Sequence, residues 1–195
     1  MNWGQLKTMA QSYTHRADID LNAVQIPACD RLTQRLDVQD NEAVASVTLS
    51  AAADLFGLYE APLPADYGRM KTLMVAGVSY APTSMLLLAQ GLGSGNQYAV
   101  SGNLIYANSS GAAVYAYGRQ IQPIASDTAT SVILTRYPRV YLYAVVIEAL
   151  IQIQDFDGAS GYAQAFDGAV DDANALQAFA RFDSSMGVTP GFRRI

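Results

Sequence analysis

The sequence predicts an α+β protein in which a helical framework carries an inserted small antiparallel β domain and ends in an extended C-terminal tail. Apolar residues recur at helical spacing near both ends of the chain, whereas the middle consists of short segments rich in Val, Thr and Tyr, separated by Gly, Asn and Ser. The last residues contain enough Gly and Pro to prevent a helix. We therefore assign residues 1–42 and 118–183 to the framework, residues 43–117 to the insertion and residues 184–195 to the tail.

Two short amphipathic helices open the chain. The first is predicted from apolar residues spaced by three and four, namely Trp3, Leu6, Ala10 and Tyr13. Asn2 is its expected N-cap and Gln5 completes a capping box. The second helix shows the same spacing at Cys29, Leu32 and Leu36. Pro27 is compatible with that helix if it lies in the first turn, so we expect it there.

The β insertion is predicted as a series of short strands joined by tight turns. The expected strands are residues 44–49, 69–75, 78–81, 98–100, 104–107 and 112–117. Ala76-Gly77 and Ser101-Gly102-Asn103 are expected hairpin turns. Between them, Thr83 or Ser84 would cap a short helix that ends at Gly91 or Gly93.

Residues 134–155 contain the most apolar predicted helix of the chain. Pro138 is expected at its first position, and a short turn over residues 131–136 precedes it. Residues 140–150 carry a single charge, Glu148, and are too few to span a bilayer. Burial in the domain core and sharing between the core and a subunit interface both remain open. Glu148 needs a partner, for which Arg136, Arg139 or an arginine of another subunit are the candidates.

A second long helix follows, after a break that we assign to Gly158 and Gly161. Its packing side is predicted as a seam of small and aromatic residues: Tyr162, Phe166, Ala169, Ala173, Leu176 and Ala180. Asp167, Asp171 and Asn174 are expected on the opposite side. This helix would pack beside the apolar one.

Composition indicates a protein that associates with other copies or partners. Charged residues make up 15% of the chain and hydrophobic residues 51%, whereas soluble monomers usually contain about a quarter charged residues. The net charge is -5 and the only lysines are Lys7 and Lys71, so a lysine-rich nucleic-acid surface is excluded.

The amino terminus has no basic and apolar signal-peptide pattern, and we expect synthesis in a cytoplasm. Cys29 is the single cysteine, so no internal disulfide can form.

Catalysis, cofactor binding and metal binding are not predicted. His15, the one histidine, lies just past a short helix near Asp18, where an imidazole is usually a surface residue. One His and one Cys cannot supply the common zinc ligand sets. The glycine-rich segment of residues 91–96 follows a helix and lacks the Lys-Ser or Lys-Thr pair of a phosphate loop. A carboxylate pair among Glu42, Glu60 and Glu148 could be tested only by their separation in space.

Three passages carry a resemblance to a known family. They are IPACDRLTQRL at residues 26–36, APLPADYGRMKTLMVAG at residues 61–77 and ILTRYPRVYLYAVVIEA at residues 133–149. Their order and spacing resemble the head-to-tail adaptor proteins of tailed bacteriophages, also called connector or head-completion proteins, from about Trp3 to Phe182. The Ala28-Cys29-Asp30 step departs from the larger apolar residue that is usual in that family.

The resemblance implies a homo-oligomeric, twelve-fold ring under the portal protein. Such a ring extends the DNA channel, lets DNA pass without specific binding, and presents a platform to a downstream component such as a nozzle, tail tube or tail completion protein. The helices would pack as a bundle around the ring, and the β insertion would face outward or toward the tail. Ring packing is expected to involve Tyr137, Pro138, Tyr141, Tyr143, Glu148, Tyr162 and Phe166.

The same resemblance assigns two further sets of residues. Candidates for an acidic channel wall, which would repel the DNA backbone, are Asp167, Asp171 and Asp172. The expected portal-docking segment comprises Gly187, Val188, Thr189, Pro190, Gly191, Phe192, Arg193, Arg194 and Ile195. Within it, Phe192 would be an apolar anchor and the two arginines would pair with portal carboxylates.

Two other function classes remain open at the level of sequence. A tail-side or baseplate binding module would contact another tail protein or a host glycan through residues 43–117. A tail-associated cell-wall hydrolase would need Glu148 or Glu60 in a cleft. The structural adaptor is the favoured function, with no enzymatic activity, no membrane association, and a location at the head-tail junction of the virion.

Overall fold

The computed structural model describes residues 1–50, 57–91 and 95–185, with side chains of the last helix described as far as residue 178. The protein is a mixed α and β chain, in which the described residues form six α-helices and a seven-stranded sheet. It divides into two compact units. One unit contains Met1–Asn41 together with Ile121–Ile195, and the other contains Glu42–Gln120.

The first unit contains five of the described helices. They are α1 (Trp3–Thr14), α2 (Leu21–Arg35), α4 (Val132–Arg136), α5 (Pro138–Gln152) and α6 (Phe156–Ser185). A short 3₁₀ turn, Gln39–Asn41, ends the first part of this unit. Helices α1, α2, α4 and α6 all contact α5. The apolar helix is therefore buried within its own chain, because other helices of the unit pack against several of its sides.

Burial of α5 accounts for its composition. Nine of its residues are buried, and they lie on every side of the helix: Val140, Tyr141, Leu142, Ala144, Val145, Val146, Ile147, Ala149 and Leu150. Removing each large aliphatic side chain from water contributes about 1.5–3 kcal/mol to folding. Core burial is thus observed for this helix.

The N-terminal helix has the predicted cap, with one change on its buried side. Asn2 Oδ1 accepts the N–H of Gln5 at 2.9 Å, and Gln5 Oε1 accepts the N–H of Asn2 at 3.0 Å. Trp3, Leu6 and Ala10 are buried as expected. Tyr13 is exposed, and Thr14 takes the last buried position of the helix.

Helix α2 begins earlier than its apolar spacing from Cys29 indicated. Asp20 is its N-cap and accepts the N–H groups of Asn22 and Ala23. The expectation that Pro27 lies in the first turn is therefore wrong, because the buried residues Leu21 and Val24 extend the helix toward the N-terminus. The proline ring is on the exposed side, where its missing N–H removes one intrahelical bond without opening the core.

The break before α6 is also placed differently. Gly158 and Gly161 lie inside α6, and the chain reverses at Ile153–Asp155, where Gln154 has φ 62°. Asp155 Oδ1 accepts the N–H of Gly158 at 2.9 Å and so caps the new helix. A Cβ on Gly158 would lie 2.6 Å from Asp155 Oδ2, so the capping carboxylate occupies the space of a side chain at that position.

Part of the predicted seam of α6 is buried. Phe166 and Ala173 are in the core, together with Ala159 and Val170, which were not predicted. Tyr162 and Ala169 are partly buried against it. Leu176 is 69% exposed, so its inclusion in the seam is wrong, and Ala180 lies beyond the described side chains.

The second unit consists of the sheet and one short helix. Its strands are β1 (Glu42–Leu49), β2 (Tyr59–Pro62), β3 (Tyr67–Val75), β4 (Val78–Pro82), β5 (Gln97–Ser101), β6 (Leu104–Ala107) and β7 (Gly111–Arg119). Their order is β1-β7-β3-β4-β5-β6-β2. The N–H of Ser50, just after β1, donates to the carbonyl of Glu60 in β2 at 2.9 Å, so the two edge strands approach each other. The sheet thereby curves around its own core.

One strand and one pairing differ from the prediction. Strand β2 was not predicted, since it is four residues long and ends in Pro62, which is tolerated because the strand lies at an edge. The β domain is not wholly antiparallel, because β4 and β5 pair in parallel through Ala81↔Gln97 and Pro82↔Tyr98. Helix α3 (Met85–Ala89) lies in the connection and returns the chain in the same direction.

Both predicted hairpin turns and the short helix between them are present. Ala76 and Gly77 connect β3 to β4 with φ values of 49° and 81°, the two positive values of a type I′ turn. Gly102, with φ 58°, connects β5 to β6. Ser84 caps α3 by accepting the N–H of Leu87 at 3.3 Å, and the helix ends before Gly91.

Candidate functional site on the α2–α5–α6 surface

Glu148 is paired with an arginine of α2. Arg31 Nε and Nη2 donate to Glu148 Oε1 at 2.8 and 2.5 Å, and the carboxylate side chain is 13% exposed. The expected partners Arg136 and Arg139 are wrong, because packing of α2 along α5 places Arg31 opposite Glu148. Arg136 precedes α5 and pairs with Asp40 instead.

The ion pair borders an open groove of about 370 Å³ between α2 and α6. Its walls include Arg31, Arg35, Glu148, Phe166 and Asp167. A second hollow of about 240 Å³ continues past Glu148 toward Ile151. The two hydrogen bonds from the Arg31 guanidinium to one carboxylate oxygen link α2 to α5. Glu148 also lines the groove.

Helix α6 is attached to α2 along the same groove. Arg35 Nη2 donates to Asp167 Oδ1 at 2.6 Å, with both side chains about half exposed. Asn174 Oδ1 accepts the N–H of Asp37 at 2.7 Å and its Nδ2 donates to the carbonyl of Arg35 at 3.3 Å. Asp167 and Asn174 therefore both contact α2, and their assignment to the side of α6 away from the packing is wrong.

The three acidic candidates do not share one side of α6. Asp167 and Asp171 are one turn apart and lie on the same side, and both are exposed or half-exposed. Asp172 is rotated by about 100° from Asp171 and borders a separate hollow of about 280 Å³ with Arg136 and Arg139. The structure thus brings together two of the three carboxylates.

A polar network fixes the start of α5. Arg136 Nη1 donates to Asp40 Oδ1 at 2.6 Å, and Tyr137 Oη donates to Asp40 Oδ2 at 3.0 Å. Gln177 Nε2 of α6 donates to Tyr137 Oη at 2.9 Å. Burial, with the nearby Asp40 carboxylate, raises the pKa of Tyr137 to about 12. Pro138 then begins α5, so Tyr137 and Pro138 lie where four elements meet.

The other predicted packing residues occupy two different environments. Tyr141 is fully buried, where Gln25 Nε2 donates to its hydroxyl at 3.0 Å, Cys29 Sγ lies 3.3 Å away, and Trp3 packs edge-on. Burial raises the pKa of both the Tyr141 hydroxyl and the Cys29 thiol. These groups belong to the core of the unit.

Tyr143 and Tyr162 lie at the surface of the unit. Tyr162 contacts the ring of Tyr143 at 6.2 Å between centroids and that of Tyr13 at 5.9 Å. The three tyrosines join α1, α5 and α6 in a partly exposed aromatic group. The exposed edges of such rings suit contact with another protein.

The predicted portal-docking segment, Gly187 to Ile195, lies outside the described residues. Sequence reasoning also missed two residues of the site. Arg31 has no distinguishing signal in the sequence, and only its alignment with Glu148 across the helix pair could have singled it out. Asp40 precedes a predicted strand and showed no local signal for its contact with Tyr137.

The described residues of this site form a polar and aromatic surface. Within the described ranges, no group of three or more His, Cys, Asp or Glu side chains could hold a metal ion. None of the described helices has the length and apolar content required to cross a membrane. What the surface offers is ion pairs, half-exposed rings and shallow grooves, which are features of protein contacts.

A protein-family model described as SU10 adaptor protein matches residues 1–190. The chain belongs to the SU10 adaptor protein family. Among curated proteins, no sequence matches it. This is a family of phage structural adaptor proteins, which are typically non-enzymatic. Membership indicates a virion protein that interacts with other head or tail proteins of the phage.

Proposed function

We propose that this SU10 adaptor family member forms a homo-oligomeric, twelve-fold ring beneath the portal, where it extends the DNA channel and joins the phage head to the tail. The helical unit would be the bundle framework of the ring, corresponding to residues 1–42 and 118–183. The β unit, residues 43–117, would face outward or toward the downstream tail component. DNA would pass through the ring without specific binding.

The observation that carries this proposal is the match of the SU10 adaptor protein family model to residues 1–190, which include the whole of α6. Gln177 of α6 donates a hydrogen bond to Tyr137, the residue before α5. The helix continues for eight more residues to Ser185, or about 12 Å. We assign the contact with the portal to Gly187 to Ile195, the residues that follow this helix in the sequence.

The charge distribution supports the channel part of the proposal. Asp171 is exposed on α6, whereas Asp167, one turn earlier, is paired with Arg35 of α2. An exposed carboxylate at a channel wall repels the DNA backbone and so opposes adhesion during passage. We assign Asp171 to the channel-facing side; Asp167 is paired with Arg35 and Asp172 borders a different hollow, so neither is assigned to the channel wall.

The test is portal binding by the full chain and by a chain that lacks Gly187 to Ile195. Both are mixed with the portal of the same phage, sedimented, and imaged by electron microscopy. We expect the full chain to form a ring on the portal and the shortened chain to remain unbound with an unchanged circular dichroism spectrum. Equal co-sedimentation of the two chains would refute docking through this segment, and absence of any ring on the portal would refute the proposed function.

A further inference from the structure

The sheet unit contains a long run without any ionisable charge. From Thr72 to Gly118 the sequence has no Asp, Glu, Lys, Arg or His. A soluble domain usually carries about a quarter charged residues, so a run of this length is far from the average. Strands β4, β5 and β6, most of β7 and the end of β3 all fall within it, together with α3.

The run produces an uncharged outer face on one half of the sheet. On β1, β7 and β3 the residues that point away from the core are Val44, Ser46, Thr48, Thr72, Met74 and Val114, with two alanines of β7 between them. Val114 is central, because it pairs with Ser46 on one side and Met74 on the other. We call these residues the charge-free face. Val44 is 73% exposed, and Val114 and Met74 are nearly half-exposed.

The other half of the outer surface of the sheet is covered by α3, which is also uncharged. Helix α3 packs on β5 and buries Leu88 against Ala99 and Leu58. Its opposite side presents Leu86 and Leu87 to solvent, with Leu86 66% exposed. Within one chain, the apolar helix α3 therefore already packs on the uncharged outer surface of the sheet.

Charge restricts what can cover the charge-free face. A charged group buried there would lose its hydration, and the face offers no opposite charge to compensate. The occupant must itself be uncharged, which the exposed leucines of α3 satisfy. In a ring of more than two copies, each contact joins two different surfaces of the subunit, so the face of one copy must meet some other surface of the next.

We propose that Leu86 and Leu87 of α3 in one copy pack on the charge-free face of the next copy, around Val114. This inference rests on the proposed ring and names the surfaces that join its subunits. It gives the 47 uncharged residues a physical role, since contact between two uncharged surfaces requires no ion pairs and produces no like-charge repulsion between identical chains.

Cysteine cross-linking of full-length chains tests the pairing. One chain carries Leu86→Cys and another carries Val114→Cys, and each is oxidised alone and as an equal mixture, both free and on the portal. The natural Cys29 is buried and remains in all chains as a common background. We expect cross-linked dimers in the mixture and none in either chain alone, and a chain with both substitutions should give a ladder of dimers, trimers and larger species.

Several outcomes would overturn the inference. Dimers of the Val114→Cys chain alone would mean that two faces meet symmetrically. A ring on the portal without the mixed cross-link would leave the proposed function standing and assign the face to another partner. Absence of the cross-link in both the free and the portal-bound samples rejects the pairing whether or not a ring forms.

A charge substitution provides an independent readout. Val114→Asp buries a carboxylate in the contact and should weaken self-association about tenfold or more. Ala65→Asp, in an exposed loop of the same unit, is the matched control and should leave association unchanged. Adding Leu86→Lys to Val114→Asp should restore part of the loss. Equal association of the Val114→Asp and Ala65→Asp chains, with both folded by circular dichroism, would contradict the proposed contact.

Discussion

Arg31 on α2 donates both of its hydrogen bonds to a single carboxylate oxygen of Glu148 on α5, across 117 residues of sequence. The pair is the one charged link into the middle of the apolar helix among the described residues, because Glu148 is the only charged residue between Val140 and Leu150. Its energetic role can be separated from that of the more exposed pair formed by Arg35 and Asp167 on the same groove.

Removing the Glu148 charge should weaken the helical unit. Glu148→Gln leaves Arg31 without its anion at a largely buried site, and we expect a loss of about 1–3 kcal/mol in the free energy of unfolding. The matched control is Asp167→Asn. Because Asp167 and its partner Arg35 are both about half exposed, this change should cost less than about 1 kcal/mol. Urea denaturation followed by circular dichroism measures both. Similar losses for the two variants would show that the Glu148 pair is no more than a surface contact.

Two glycines of α6 should respond oppositely to alanine. Gly161→Ala places a methyl group in open space inside a helix and should stabilise the protein by about 0.5–1 kcal/mol. Gly158→Ala forces the Asp155 carboxylate out of its capping position, and loss of that cap costs about 1 kcal/mol, which offsets the gain in helix propensity. Thermal unfolding should therefore rank Gly161→Ala above the natural chain and above Gly158→Ala. A rise of equal size in both would mean that Asp155 does not cap α6.

The buried hydroxyl of Tyr141 should matter more than that of Tyr143. In Tyr141→Phe the amide of Gln25 loses its partner inside the core, which costs about 1–3 kcal/mol. Tyr143→Phe retains the ring contact with Tyr162 at a partly exposed site, so its effect should stay within about 0.5 kcal/mol. Chemical denaturation midpoints distinguish the two variants. An unchanged midpoint for Tyr141→Phe would argue that water or another group replaces the hydroxyl.

Alkaline pH should destabilise the protein in part through Tyr137. The folded pKa of about 12 lies above the ordinary value of 10, so the unfolded chain loses this proton first. The stabilising contribution is complete below pH 10 and is lost as the pH rises through about 12. Burial raises the pKa of Tyr98 and Tyr141 as well, and their contributions have the same sign. Tyr137→Phe should therefore reduce, without abolishing, the fall in unfolding free energy between pH 10 and 12.

The control for that measurement is Tyr13→Phe, at an exposed position of α1. It should leave the dependence of stability on pH close to that of the natural chain. If both variants show the same slope between pH 10 and 12, Tyr137 has no special proton affinity in the folded protein.

Features decided by a few neighbouring residues could be predicted from the sequence. The capping box of Asn2 and Gln5, the proline at the start of α5 and the Ala76-Gly77 turn all depend on interactions within four residues. The position of the α5–α6 break also depends on neighbouring residues, but it is set by the Asp155 cap and not by the two glycines. Gly158 lies in the first turn of α6, where the lack of a side chain leaves room for the capping carboxylate of Asp155.

The sequence by itself determined the mixed α and β class, the order of most helices and strands, and the need of Glu148 for a cation, because backbone preferences and the cost of burying a charge act locally. Only the tertiary structure decided that Arg31 is that cation, that β4 and β5 run parallel, and that Leu176 is exposed. Each of these features depends on which helices and strands pack together. The same pattern of apolar and polar residues is compatible with several packing arrangements, and only the complete core selects one of them.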